Sequence, residues 1–124
     1  MRLNYPHIGL LEHYWPKIGK DCRIDPDVLI DSCRQVIIGN RCFISQPCYI
    51  MGHQHERPNH DAKAGKSLII GSNVWIYPDV LILPSVRKIG NNVTIASKSV
   101  ITHDIPDGET WAGNPARCIH DKKA

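Results

Sequence analysis

The stretch LIIGSNVWIYPDVLILPSVRKIGNNVTIASKSVIT, residues 68–102, carries isoleucines that recur every six residues. The full set forms four triplets: Ile18, Ile24 and Ile30; Ile38, Ile44 and Ile50; Ile70, Ile76 and Ile82; and Ile89, Ile95 and Ile101. A period of six fits neither an amphipathic helix nor a long alternating strand, but it fits short strands separated by sharp corners. Three such hexapeptides close one triangular coil, so the sequence predicts a parallel β-helix of about four coils.

A second small or apolar side chain lies four residues after most of these isoleucines. The positions are Cys22, Val28, Cys42, Cys48, Val74, Val80, Val86, Val93 and Ser99. Coils stacked at about 4.8 Å would place equivalent residues in ladders, with the isoleucines filling the interior. The three cysteines of this set are therefore predicted to pack inside the coil rather than to react.

Composition limits the classes of protein that remain. The chain has 124 residues, a net charge of +3 and five cysteines without CxxC spacing. This length suits one domain, and the scattered basic residues argue against an extended nucleic-acid surface. An odd cysteine number argues against a disulfide framework or a thiolate zinc site. Without a membrane-length apolar run or an export signal, we expect a cytoplasmic protein.

One join between triplets is much longer than the others. From Ile38 to Ile70 is 32 residues, against 18 for an uninterrupted coil, and the 14 extra residues follow Ile50. The sequence therefore predicts a loop over about residues 53–66, thrown outward from a coil corner. A polar excursion from a regular solenoid adds no core, so a functional role is the natural interpretation. A simple solvated connection is the alternative.

Three further motifs make the chain resemble a known family: GSNVWI at 71–76, SKSVITHDIP at 97–106 and AGNPAR at 112–117. With the hexapeptides, they resemble the hexapeptide-repeat acyltransferases, and more narrowly the sugar O-acetyltransferases that act on maltose, galactosides or colanic acid. The resemblance covers roughly residues 16–121. It implies a left-handed coil, which the general crossover rule alone would not favour. It also implies a homotrimer that binds acetyl-CoA between neighbouring subunits.

The expected organisation is a single all-β hexapeptide-repeat acyltransferase domain spanning 1–124. Residues 1–15 would form a short N-terminal cap, 16–105 the β-helix with its protruding loop, and 106–124 a C-terminal tail. The resemblance implies transfer of an acetyl group from acetyl-CoA to a hydroxyl of a sugar or saccharide-like acceptor. By the same resemblance, we expect a role in the synthesis of surface polysaccharides.

The protruding loop contains three histidines, and the resemblance indicates which of them is the general base. In the sugar acetyltransferases, the base is the histidine five residues after the corresponding hexad isoleucine. Counting from Ile50, that residue is His55, which is followed by Glu56, and His53 is the alternative. His60 is expected at the surface. Acyl transfer to an alcohol needs a group that exchanges protons near neutral pH, and histidine meets that need.

A carboxylate on the other ring nitrogen would fix the tautomer of the histidine base. Glu56 and Asp31 are the two residues proposed for this role or for contact with the acceptor. Asp31 follows Ile30, which occupies the same corner as Ile50 one coil below. It either faces the acceptor hydroxyl or is an exposed corner carboxylate.

For coenzyme A, the resemblance indicates Ser97 and Thr102 on the upper coils and Arg117 after the GNPA turn. Arg117 could meet a nucleotide phosphate with two parallel hydrogen bonds, or it could be an exposed C-terminal charge. Trp75 either packs against its neighbours or forms a platform for the donor.

The chain also departs from its relatives near the donor site. Where several relatives place an oxyanion-binding amide after the tryptophan, this chain has Tyr77-Pro78, and proline has no N–H to donate. His103 and His120 stand where a lysine and an arginine are usual. These two histidines predict weaker phosphate binding at neutral pH.

Two other classes of function share this fold. A γ-carbonic-anhydrase-like enzyme would bind a metal with histidines, but it spreads its ligands over adjacent coils, whereas the three histidines here lie in one loop. We therefore expect no metal. A non-catalytic trimeric hexapeptide module is the other alternative, and turnover of acetyl-CoA would distinguish it.

Overall fold

The computed structural model describes residues 1–4 and 12–121, and within these ranges every regular element is a β-strand. The strands form three parallel faces of a triangular β-helix, as the six-residue period predicts. The first face contains β1 (Arg2–Asn4), β4 (Val28–Asp31), β7 (Cys48–Ile50), β12 (Val80–Ile82) and β15 (Val100–Ile101), in that spatial order.

The other two faces are built in the same way. The second contains β2 (Lys17–Ile18), β5 (Val36–Ile38), β10 (Leu68–Ile70) and β13 (Lys88–Ile89). The third contains β3 (Arg23–Ile24), β6 (Phe43–Ile44), β11 (Trp75–Ile76), β14 (Thr94–Ile95), β16 (Glu109–Gly113) and β17 (Ala116–Asp121). All neighbours in these faces are parallel except β16 and β17, which form an antiparallel hairpin over the last coil.

The isoleucines form the predicted ladders. On the first face Ile30 pairs with Ile50, Ile50 with Ile82, and Ile82 with Ile101. Most of the twelve hexad isoleucines are almost completely buried, as are the valines that lie four residues after a hexad isoleucine. Ile18 is an exception at 41% exposure, because β2 is the outermost strand of its face. The interior is therefore a stack of isoleucine and valine layers, each covered by the next coil.

The interior cysteines behave as the repeat predicts. Cys42 and Cys48 are buried and Cys22 is partly buried. Each thiol donates a hydrogen bond to a carbonyl of the next coil: Cys22 to Gly39 at 3.0 Å, Cys42 to Gly71 at 3.1 Å and Cys48 to Tyr77 at 3.2 Å. These thiols thus contribute packing and hydrogen bonds to the stack.

One corner of the β-helix carries a continuous ladder of side-chain acceptors. The backbone N–H of Lys20 donates to Asn40 Oδ1 at 2.8 Å, and that of Asn40 donates to Ser72 Oγ at 3.0 Å. The N–H of Ser72 donates to Asn91 Oδ1, and that of Asn91 to Asp107 Oδ1, both at 2.8 Å. Each coil therefore satisfies the corner amide of the coil before it.

The backbone at this corner is also unusual. A Cβ added to Gly71 would lie 2.8 Å from the backbone nitrogen of Asn91, so only glycine allows the coils to approach this closely. Two residues further on, each coil places a side-chain-bearing residue in the left-handed region: Asp21 (φ 57°), Arg41 (φ 56°), Asn73 (φ 56°) and Asn92 (φ 57°). Asparagine and aspartate tolerate this conformation better than arginine does.

The long join after Ile50 forms a hairpin. β8 (His53–Glu56) pairs antiparallel with β9 (Asp61–Ala64), with His53 opposite Ala64 and Glu56 opposite Asp61. The chain then returns to the second face at β10. The predicted loop is therefore an ordered two-stranded arm that projects from the corner after β7.

The N-terminal residues meet the first coil at its lower edge. β1 pairs in parallel with β4, so that Leu3 extends the ladder of Ile30 and Asn4 lies opposite Asp31. Of the segment expected to form a cap, residues 5–11 lie outside the described residues, as do residues 122–124 of the expected tail. No helix long and apolar enough to cross a membrane occurs in the described ranges.

Candidate active site

The hairpin begins where the second coil passes over the first. Gly52 precedes His53 and lies directly against Asp31, since a Cβ at this glycine would be 2.7 Å from the Asp31 carbonyl oxygen and 3.0 Å from its Cγ. The glycine therefore allows the backbone of the hairpin to come into contact with the coil below. As a result, the side chain of His53 reaches the end of β4.

His53 and Asp31 form a direct pair. Nδ1 of His53 is hydrogen-bonded to Oδ2 of Asp31, and the two side chains are 12% and 0% exposed. The other carboxylate oxygen of Asp31 accepts the backbone N–H of Cys33 at 3.0 Å. With both oxygens engaged, the carboxylate holds the imidazole with a proton on Nδ1, which leaves the basic lone pair on Nε2.

The N-terminal strand explains why Asp31 is buried. Asn4 pairs with Asp31 across β1 and β4, and its carbonyl accepts the backbone N–H of Ser32 at 2.9 Å and the Ser32 hydroxyl at 2.7 Å. His13 Nδ1 is 2.8 Å from the same hydroxyl. These contacts cover Asp31 from below, so its charge faces the histidine rather than water.

His55 lies on the same face of the hairpin as His53, because alternate residues of a strand share a face. Their rings meet edge to face with centroids 5.2 Å apart. His55 is exposed, and its Nδ1–H donates to the carbonyl of His60 at 3.0 Å. Glu56 is also exposed, and its carboxylate is 3.5 Å from Lys63 Nζ. Nδ1 of His53 is therefore bonded to Asp31, and neither His55 nor Glu56 makes that contact.

Trp75 lies on the outer surface of the third face. The residue is 45% exposed, and its ring stacks on that of Phe43, with centroids 5.3 Å apart and planes 19° from parallel. On the coil below Phe43, the guanidinium of Arg23 lies 5.4 Å from the centre of the Phe43 ring. Trp75 thus packs against Phe43 and still presents an exposed aromatic surface.

The other residues predicted for coenzyme A are on the upper coils and the C-terminal hairpin. Ser97 and Arg117 are exposed, and Arg117 donates to the carbonyl of Ala116 at 2.7 Å. The hydroxyl of Thr102 is 2.8 Å from Nδ1 of His103. Within the described part of the chain, no hydrogen bond joins these residues to the His53–Asp31 pair.

The segment around Pro78 does not present a free amide on either side of the proline. The N–H of Tyr77 donates to the carbonyl of Ile95 at 3.0 Å, and that of Asp79 donates to the carbonyl of Pro47. Both bonds belong to the stacking of neighbouring coils. These two amides are therefore not available to an oxyanion.

The short segment after Asp31 contributes two buried residues that the sequence pattern left without a role. Burial and the Asp31 carboxylate raise the pKa of the Cys33 thiol to about 12, so Cys33 is a thiol at neutral pH and not a nucleophile. Burial lowers the pKa of Arg34 to about 10, partly offset by the charge of Asp31. Arg34 therefore remains a buried cation at neutral pH.

Arg34 ties the return of the hairpin to the third coil. Its guanidinium donates hydrogen bonds to the carbonyl groups of Lys66 (3.3 Å), Leu83 (3.3 Å), Pro84 (3.2 Å) and Val86. The sequence signal for this residue was its position four after Ile30, where other hexads carry a small side chain. The large charged residue there marks the corner at which coils and hairpin meet.

Together, the fold and the site define a class of protein: a hexapeptide β-helix that presents a carboxylate-oriented histidine at the base of a protruding arm. Residues 67–103 match the family model described as bacterial transferase hexapeptide (six repeats). The galactoside O-acetyltransferase of Lactococcus lactis is 43% identical over 92% of this chain and 66% of its own length. The chain belongs to this hexapeptide-repeat acyltransferase family.

Solved structures agree with this fold. A maltose O-acetyltransferase from Clostridium difficile superposes with a TM-score of 0.71 at 28% identity, over 86% of this chain and 58% of that one. A hexapeptide-repeat acetyltransferase from Vibrio cholerae, solved with acetyl-CoA, gives a TM-score of 0.81 at 24% identity, over 88% and 61%. The predicted left-handed parallel β-helix is thereby confirmed.

The chain is shorter than these relatives. It spans about half to two thirds of the length of the curated proteins that it matches.

Proposed function

We propose that this protein is an acetyl-CoA-dependent O-acetyltransferase, with His53 as general base and Asp31 as the residue that orients it. The acceptor is a hydroxyl of a sugar or saccharide-like molecule. The observation that carries the proposal is the buried His53–Asp31 pair at the base of the hairpin. Relatives named as galactoside and maltose O-acetyltransferases support the choice of acceptor. The acetyl-CoA bound to the Vibrio cholerae structure supports the choice of donor.

The reaction follows from the tautomer of His53. Nε2 takes the proton of the acceptor hydroxyl as its oxygen attacks the thioester carbonyl carbon, which gives a tetrahedral intermediate. Asp31 stays ionised and stabilises the imidazolium. When the C–S bond breaks, the imidazolium returns the proton to the departing thiolate. The products are an acetyl ester and coenzyme A, and one histidine serves both steps.

The geometry favours His53 over His55, although the resemblance favoured His55. His53 is nearly buried and pairs with a buried carboxylate, whereas His55 is exposed and bonded to a backbone carbonyl. A general base gains from a partner that fixes its tautomer and stabilises its charged form. His55, with its ring against that of His53, is instead placed to contact the acceptor.

The donor site and the assembly complete the proposal. Trp75 offers an aromatic surface, and Ser97, Thr102 and Arg117 offer hydrogen bonds along the upper coils, for coenzyme A bound between subunits of a cytoplasmic homotrimer. Arg117 is exposed and could face phosphate groups across the subunit boundary. Since the amides beside Pro78 are engaged, the oxyanion contact comes from another segment or from the neighbouring subunit.

The test is the rate of thioester loss from acetyl-CoA with a panel of sugars, compared for the unmodified protein, His53→Ala and His55→Ala. We expect turnover with at least one sugar, a loss of roughly 10²- to 10⁴-fold in kcat for His53→Ala, and a much smaller loss for His55→Ala. A selective loss in His55→Ala would transfer the role of base to that residue. Absence of turnover with every acceptor would reject the transferase proposal.

A further inference from the structure

A second chemical property of the site comes from Cys33. One ligand atom each from Asp31, Cys33 and His53 lies within 4.8 Å of the other two. These atoms are a carboxylate oxygen, a thiol sulfur and an imidazole nitrogen. Cysteine, histidine and aspartate are the ligands that zinc takes in proteins, and three protein ligands leave one position for water.

The backbone holds these three side chains in place. Asp31 ends β4, and the N–H of Cys33 is bonded to its carboxylate at 3.0 Å, so the two residues form one tight turn. Gly52 brings His53 onto this turn from the coil above. In a tetrahedral site with bonds of about 2.0 Å to N and O and 2.3 Å to S, ligand atoms lie roughly 3.3–3.5 Å apart. Binding therefore requires Nδ1 of His53 and Oδ2 of Asp31, now in direct hydrogen-bond contact, to move apart to that separation.

We propose that Asp31, Cys33 and His53 bind Zn²⁺, and that zinc bound there switches off the histidine base. The first half of this proposal stands on the cluster alone, and the second half rests on the proposed function. Asp31 and Cys33 are almost fully buried, so the ion enters past the partly exposed ring of His53. The ion replaces the hydrogen bond between Asp31 and His53.

The charge balance favours the buried complex. Zinc binding releases the proton of the Cys33 thiol to solvent, and the carboxylate and thiolate together neutralise the two positive charges of the ion. Buried charges are stable in this way when they are paired or bound to a metal. Arg34 remains as the neighbouring cation, held by its carbonyl partners.

The same step removes the catalytic lone pair. Zinc coordinated to Nδ1 of His53 displaces the proton from that nitrogen, and the neutral ring then carries its proton on Nε2. Nε2 can no longer accept the hydroxyl proton of the acceptor. Zinc would therefore act as an inhibitor of this enzyme rather than as its cofactor.

This site differs from a metal site built from the three loop histidines, which the sequence argued against. His55 and His60 are not part of the cluster, and Nδ1 of His55 is bonded to the carbonyl of His60. The ligands come instead from two adjacent coils. A metal-binding test can therefore separate the two sites by substitution.

The first experiment is a titration of the protein with Co²⁺, because thiolate coordination to cobalt gives a charge-transfer absorption, followed by competition with Zn²⁺. We expect one equivalent to bind with that absorption, and both Cys33→Ser and His53→Ala to lose it with at least about tenfold weaker binding. The matched controls are Cys22→Ser, which removes another thiol, and His55→Ala, and both should bind as the unmodified protein does. Absence of the thiolate absorption in the unmodified protein, or its persistence in Cys33→Ser, would overturn the site.

The second experiment measures the ratio of turnover with and without Zn²⁺ for each variant that retains activity. We expect zinc to inhibit the unmodified protein and Cys22→Ser, a chelator to restore their turnover, and Cys33→Ser to need at least about tenfold more zinc. Equal zinc sensitivity of Cys33→Ser would overturn the inhibitory role. If no acceptor is turned over, the proposed function fails, and the cobalt titration still decides the metal site.

Discussion

Replacement of Asp31 by asparagine isolates the orienting role of its carboxylate. The variant keeps an oxygen that can accept the Cys33 N–H, which the native structure places at 3.0 Å from Oδ1. It places an NH₂ group where Oδ2 now meets Nδ1 of His53. An amide donor at that point requires Nδ1 to accept, so the proton moves to Nε2 and the base is in the wrong tautomer.

The size of the effect follows from the two contacts that change. In the variant, the productive tautomer would point the Nδ1–H of His53 at the side-chain NH₂ of the asparagine. Two buried donors that face each other without an acceptor cost about 1–3 kcal/mol. Loss of the charge-assisted hydrogen bond to the imidazolium costs about 1.5–3 kcal/mol more. At about 1.4 kcal/mol for each factor of ten, kcat should fall roughly 10²- to 10⁴-fold. The KM for acetyl-CoA should change little, since Asp31 does not contact the donor in the proposed mechanism.

The assay is steady-state loss of acetyl-CoA thioester with the best sugar acceptor, with circular dichroism to verify folding. Asp79→Asn is the matched control, because Asp79 is an exposed corner carboxylate that lies 3.8 Å from Lys98 Nζ. The control should retain full activity. If Asp31→Asn stays within about fivefold of the unmodified protein while His55→Ala loses more than about 100-fold, the assignment of His53 and Asp31 is refuted.

Three other predictions test the surroundings of the site and the coil. Gly52→Ala should lower both kcat and the free energy of unfolding, because the new Cβ would lie 2.7 Å from the carbonyl oxygen of Asp31. The free energy of unfolding should fall by about 1–3 kcal/mol, and an unchanged urea unfolding curve would contradict the close approach. Arg41→Asn should raise the free energy of unfolding by about 1 kcal/mol, because φ is 56° at this position and asparagine tolerates the left-handed conformation better than arginine does. A lower urea midpoint would instead show that the arginine makes a compensating contact. Cys118 is exposed, whereas Cys33 is buried and its pKa is raised to about 12. Peptide mapping after brief alkylation at pH 10 should therefore find Cys118 modified and Cys33 intact, and equal modification would count against the buried thiol.

The sequence predicted the coils well because the constraint that builds them is periodic. A residue in the interior of a coil must match its equivalents above and below, so the spacing of Ile30, Ile50 and Ile82 specifies both the strand and its partner. The N-terminal strand was not predicted, since Leu3 belongs to no hexapeptide. Its pairing with β4 depends on contacts between residues far apart in the chain, which periodicity does not report.

The hairpin and its histidines were harder to predict. HQHE at 53–56 is polar on both faces, so its hydrophobic pattern gives no strand signal, and the antiparallel pairing with β9 comes from the arm itself. His53 and His55 share one face, and counting along the chain cannot tell which of them meets Asp31. That contact is set by Gly52 and the corner beneath it. The choice between the two histidines stays a prediction until the variants are measured.

The ladder of acceptors at the Gly71 corner has a consequence for how such proteins change length. At this corner, each coil supplies one side-chain oxygen to the coil before it and receives one from the coil after it. The side-chain oxygens of Asn, Ser and Asp all accept the backbone N–H there. A whole coil can therefore be duplicated or deleted during evolution without leaving an unmatched amide at the seam. In the proposed mechanism, a coil added above the third would lengthen the distance between the His53–Asp31 pair and the residues proposed to bind coenzyme A. The third coil is tied to the histidine hairpin by the hydrogen bonds of Arg34, so changes in the number of coils are expected above it.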